Sequence, residues 1–175
     1  AIRNTGSIAA GEIHIEGGDQ GLVEIEGVLD ASDRREDDLG GEIAVLGDFI
    51  AIEDGALLDA SGAAGGGRIR VGGDLGGLGD LRRARGTFVH RNARLQADAT
   101  EQGDGGQIIV WADEIAQIYG TLSATGGPMG GFGGFAETSG RHWLDIAAAP
   151  DLRALSGRPG DSGGQWLIDP NNITI

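Results

Sequence analysis

The sequence contains no cysteine, no lysine, 4 prolines and a single methionine among its 175 residues. Without cysteine there is no disulfide framework to staple a loop-rich scaffold. A chain without disulfides would also suit passage through a membrane pore in the unfolded state. No stretch approaches the roughly 18 apolar residues that a membrane-spanning helix requires. No basic-then-apolar leader opens the chain, and a start at Ala1 is what a mature or excised segment would show. No segment of useful length carries a helical period. The best, Asp80 to Arg85, is short and has a glycine on either side. Basic residues are scarce as well: 13, all arginine, against 27 acidic ones, for a net charge of −14. So acidic a surface repels phosphate backbones, which argues against nucleic acid as a partner. Binding of cations stays open.

What the chain has in excess is glycine, 35 residues. Collagen would need it at every third position, and that period is missing. Disorder would need few β-branched residues, yet isoleucine and valine recur in alternating pairs. A repeat architecture is left, and repeats are found. Leu or Ile, any residue, then Ala occurs at Ile8, Leu29, Leu58, Leu95 and Leu122, in steps of 21, 29, 37 and 27 residues. A second pattern follows glycine at Ile13-x-Ile15, Ile43-x-Val45, Ile69-x-Val71 and Ile108-x-Val110. A third lies between, at Val23-x-Ile25 and Ile50-x-Ile52, and less cleanly at Phe88-Val89 and Ile115 to Ile118. Each repeat therefore holds three short strands with period-two alternation, separated by Gly, Asp and Ser.

Three strands per repeat predict an all-β solenoid, a right-handed parallel β-helix with three-strand coils. These Ile, Val, Leu and Ala point inward, and extra residues go into loops, chiefly 32–39, 73–87 and 128–134. Residues 1–146 read as coils. Residues 147–175 read as an irregular loop with terminal strands that continue or cap the stack, Trp166 to Ile168 among them; Trp143 to Ile146, just before it, also reads as a strand. The tail, with Pro170 and the pair Asn171-Asn172, suits a turn. Trp111-Ala112-Asp113 has the look of a catalytic triplet. Asp48, Asp74 and Asp113 recur at one corner, however, so a turn is the better reading.

The register also orders the outward residues. One column is Glu12, Glu42, Arg68 and Gln107, with Glu42 beside Arg68 as a cross-coil charge pair. Its neighbour is His14, Ala44, Arg70 and Ile109. On the Leu-x-Ala face the column is Ala9, Asp30, Asp59, Gln96 and Ser123. Asp30 and Asp59 then stand one coil apart, roughly 5 Å by strand spacing. That separation suits a cation such as Ca²⁺ or a retaining glycosidase. His14, His90 and His142 lack metal-ligand spacing and read as surface residues. Ser139 lacks the nucleophile-elbow pattern, and Ser162 sits in a Gly-rich loop with no partner to activate it. The loop from Gly73 to Gly86 gathers Arg82, Arg83 and Arg85, the one basic cluster. It could bind an anionic glycan or simply be solvated. Met129 and Phe132 in the other glycine-rich excursion are expected to cap the core.

Four stretches carry a family resemblance: GGGRIRVGGD (65–74), GTFVHRNARLQADA with GDGGQIIVWAD (86–99, 103–113), YGTLSATGGPMGGFGGFAETSG (119–140) and GGQWLIDPNNITI (163–175). In this order they resemble an internal or C-terminal β-helix segment of the filamentous-haemagglutinin-like exoproteins, the large secreted partners of two-partner secretion systems; the motifs of that family's N-terminal secretion domain are not seen in the chain. Residues 1–64 match only as generic repeats. The resemblance implies a right-handed parallel β-helix and adhesion or surface display, with toxin delivery in some members. It implies a secreted or cell-surface location and an outer-membrane pore transporter as partner during export. A host or neighbouring-cell glycan or protein would be the receptor, and end-to-end self-association is a further option. No cofactor and no enzyme activity are implied. The alternative is a carbohydrate-active β-helix enzyme, a polysaccharide lyase or hydrolase.

Overall fold

The computed structural model describes residues 1–169 together with 173 and 174. Each of the first five turns of the chain gives one strand to each of three parallel sheets, and the sixth gives strands to the first and third. The first sheet stacks Ile2–Asn4, Leu22–Ile25, Phe49–Ile52, Gly86–Val89, Ile115–Ile118, Trp143–Ile146 and Ile173–Thr174. The second stacks Ser7–Ala9, Val28–Asp30, Leu57–Asp59, Arg94–Gln96 and Thr121–Ser123. The third stacks Glu12–Glu16, Glu42–Leu46, Arg68–Val71, Gln107–Ala112, Phe135–Gly140 and Gln165–Ile168. Neighbours in a sheet are the same strand in successive coils, which is a parallel β-helix. The expected turn at 170–172 lies outside the described residues.

The core is a set of inward columns. Leu29, Leu58, Leu95 and Leu122 stack in the second sheet, and Ile43, Ile69 and Ile108 in the third. All are buried. Two positions of the first sheet differ from expectation. Ile115 and Phe88 point outward, while Thr87 and Ala116 point in. Val89 and Ile118 are locked inward, so period two forces residues 87 and 116 inward as well. Thr87 is tolerated there because its hydroxyl donates to the Trp111 carbonyl at 2.7 Å.

The glycines explain how coils of unequal length stay in register. From the second coil on, the chain leaves the second sheet, makes an excursion and returns through a glycine pair: 40–41, 66–67, 105–106, 133–134 and 163–164. The second glycine of each pair donates its N–H back across the neck. The acceptors are the carbonyls of Ala31, Ala60, Ala97, Ala124 and Leu152, at 2.7–2.8 Å. These five bonds make excursion length irrelevant to register. The pairs also stack on one another. A Cβ on Gly67, Gly106 or Gly134 would enter the carbonyl oxygen of the glycine one coil below. Excursions occur in every coil from the second, including 98–105. Bridges such as Asp33 to Gly62 and Gly62 to Ala99 stack them too. Met129 and Phe132 do not cap the core and are both half-exposed. Their excursion is held by backbone bonds, such as Met129 N–H to the Glu101 carbonyl at 2.9 Å.

Candidate functional site

The basic loop lies on the outer face of the third sheet, and sequence alternation explains why. Ala44, Leu46, Ile109, Trp111, Glu137 and Ser139 all point out of the solenoid, yet all are buried. Ile108 to Ala112 reads as a continuous apolar run, the mark of a strand covered on both faces. The cover is residues 73–85. A 3₁₀ turn, Leu75–Gly77, starts where the Asp74 carboxylate accepts the Leu75 N–H at 2.9 Å. Gly77 has φ of 63° and lies against the Trp111 ring, where a Cβ would collide with the indole. Gly76 N–H donates to Glu137 Oε2 at 2.9 Å, and Ser139 O–H donates to Glu137 Oε1 at 2.8 Å.

The three arginines are anchored within the chain. Arg82 bonds Glu16 at 3.2 Å and Asp19 at 2.5 Å. Arg83 pairs with Asp113 at 3.1 Å and donates to the Gly77 carbonyl at 3.1 Å. Arg85 pairs with Glu114 at 2.9 Å and reaches Asp48 at 3.8 Å. Each guanidinium that could have met an anionic ligand faces a carboxylate of another coil, two coils away for Arg82 and the adjacent coil for Arg83 and Arg85. The charge pair expected between Glu42 and Arg68 is 3.7 Å long, and Arg70 approaches Glu42 more closely, at 3.0 Å. The Trp111-Ala112-Asp113 corner divides its roles. Ala112 points into the core, Trp111 supports the loop, and Asp113 holds Arg83 and accepts the indole N–H at 3.3 Å.

Burial raises the Glu137 carboxyl above the usual glutamate range. The Gly76 and Ser139 donors oppose that rise, and the charges of Asp169 and Asp74 add to it. A raised folded value means this group's stability is fully present below pH 4.5 and lost as pH rises through the raised value. Glu137→Gln keeps both bonds if its amide donates to Ser139 Oγ. Its urea midpoint is expected above the parent's at pH 8 and level with it at pH 4. A constant gap at both values would contradict the assignment.

Asp30 and Asp59 are paired in register one coil apart. Each ends its strand in the same way, in an Asp-Ala-Ser turn. Asp30 Oδ1 accepts from the Ser32 hydroxyl at 2.6 Å and its N–H at 2.9 Å, and Asp59 Oδ1 accepts the Ser61 N–H at 2.9 Å. Those Ser32 bonds hold the Asp30 carboxyl below its ordinary range, the opposite of what a general acid needs. Among the described residues no group of three or more His, Cys, Asp or Glu is placed to hold a metal ion.

Three parallel faces, glycine-paired necks and a loop sealed on the third sheet define the molecule well enough to compare it with others. No family model matches the chain, and no curated protein does. Among solved structures, the HMW1 secretion domain from Haemophilus influenzae superimposes with a TM-score of 0.74 at 30% identity. The match covers 96% of this chain. The chain resembles a secretion domain over nearly all of its length, whereas its motifs read as those of an internal segment without one. It spans 44% of the HMW1 secretion domain's length, so the likeness is to a part of that structure. The parallel β-helix is thereby supported from outside the chain.

Proposed function

We propose that this chain is a secreted or surface-displayed β-helix segment of an adhesin-like exoprotein exported by two-partner secretion. It acts as a stiff stalk that presents loops and faces for adhesion or assembly. The observation that carries the reading is the likeness to a secretion domain over 96% of the chain. Physical features support it. A cysteine-free chain can thread an outer-membrane pore unfolded, and coils that contact mainly their neighbours can fold in succession after export. Residues 1–146 serve as the coils, and 147–175 continue or cap them. In this reading Arg82, Arg83 and Arg85 fasten their loop to the rod. Asp30 and Asp59 end strands. The segment is not an enzyme.

Cells displaying the parent protein are expected to attach to host epithelial or neighbouring bacterial cells several-fold better than a deletion strain. Equal attachment would overturn the reading. Against the hydrolase alternative, neither the parent nor the Asp30→Asn/Asp59→Asn double variant is expected to cleave polysaccharide in a reducing-end assay. Cleavage by the parent that the double variant loses would restore that alternative.

A further inference from the structure

The first sheet turns two columns outward. One is Leu22, Phe49, Gly86, Ile115 and Trp143, neighbours in coil-to-coil register. Its large members are exposed by 37, 42, 47 and 48% respectively. Gly86 would interrupt the row, but the Phe49 ring lies across it, where a Cβ would press on Cδ1. The row is therefore one apolar band over five coils, four steps of ~4.8 Å each.

The second column, Glu24, Ala51, Phe88, Gln117 and Asp145, runs beside it. Its polar end is fixed in place. Gln117 Nε2 donates to Tyr119 Oη at 3.0 Å, and the Tyr119 hydroxyl donates to Asp145 at 2.7 Å. Phe88 stands edge-on to Tyr119 at 5.9 Å. On the far side of the band Arg85 stacks over Phe49 at 5.3 Å and is held by Glu114.

Contiguous exposed apolar surface marks an interaction site, and three observations choose its occupant. The band is one side chain wide, far short of the roughly 800 Å² per partner that a stable protein interface covers. The backbone of this sheet is spent on coil-to-coil pairing, so no peptide strand can add to its face. The net charge of −14 repels anionic headgroups and polyanions. An uncharged sugar chain fits. Its C–H faces can rest on Phe49, Ile115 and Trp143 while its hydroxyls meet Gln117 and Asp145. We propose that this face binds an uncharged oligosaccharide lying along the coil axis. The proposal rests on the adhesive reading above and names its ligand class.

The test is calorimetric titration of the purified protein with neutral hexasaccharides: cello-, chito-, laminari- and mannohexaose. At least one is expected to bind. Trp143→Ala and Phe49→Ala are each expected to weaken it by about tenfold or more, as loss of an aromatic anchor does. Leu78→Ala, which removes an exposed apolar side chain from the loop on the other face, is expected to leave binding unchanged. Circular dichroism checks that each variant is folded. Absence of binding to all four sugars overturns the proposal, as does parental affinity in Trp143→Ala. A drop in sedimentation mass on Trp143→Ala overturns it too, by assigning the band to a second copy. Cell attachment separates the two readings. Cells carrying Trp143→Ala that attach like the parent sink the glycan proposal alone, whereas a deletion strain that attaches normally sinks the adhesive reading.

Discussion

Gly106→Val is expected to destroy the cooperative fold. The added side chain would have to occupy the position of the Gly67 carbonyl one coil below. It would also strain the neck bond from Gly106 N–H to the Ala97 carbonyl, 2.7 Å long. Both obstacles are backbone, and neither can swing aside. The expected loss exceeds ~4 kcal/mol, in the range reserved for named structural failures. Gly11→Ala is the control. Nothing lies within 4 Å of its Cβ, so the change should stay within about 0.5 kcal/mol. Urea unfolding followed by far-ultraviolet circular dichroism measures both. Similar midpoints for the two variants would mean that the glycine pairs are not what keeps the coils in register.

The second large effect belongs to the central leucine column. Leu58 is fully buried and paired in register with Leu29 below and Leu95 above. Leu58→Ala leaves a cavity between two coils that are held apart by backbone hydrogen bonds, so the site collapses poorly. The expected cost is about 2–5 kcal/mol. Trp143→Ala removes a larger side chain from the outer surface and should cost within about 0.5 kcal/mol. An exposed-site cost equal to the buried one would contradict the assignment of inside and outside.

The columns were legible in the sequence where alternation is strict. The row Ala9, Asp30, Asp59, Gln96 and Ser123 is the register found, because Leu-x-Ala fixes one face in every repeat. Reading was weaker where polar residues substitute for aliphatic ones. Thr87 fills an inward place only because the Trp111 carbonyl accepts its proton, and that partner is 24 residues away. The outer core under the loop had a signal, the unbroken run Ile108 to Ala112, which alternation alone does not explain. The fate of Arg82, Arg83 and Arg85 had none. Their carboxylate partners lie as far away as Glu16 and Asp19, and the path of a glycine-rich loop has no period to read. The band from Leu22 to Trp143 was hidden by the misplaced inward assignment of Ile115. Once Ile118 is fixed inward, Ile115 must join the outer row.

Export tests the account most directly. In its own cell, the full-length protein is probed at the surface by antibody, with and without the outer-membrane pore protein of its secretion system. Its surface level is expected to fall at least tenfold when the pore protein is deleted, with the chain retained inside or degraded. Undiminished surface display without the pore protein would contradict the account.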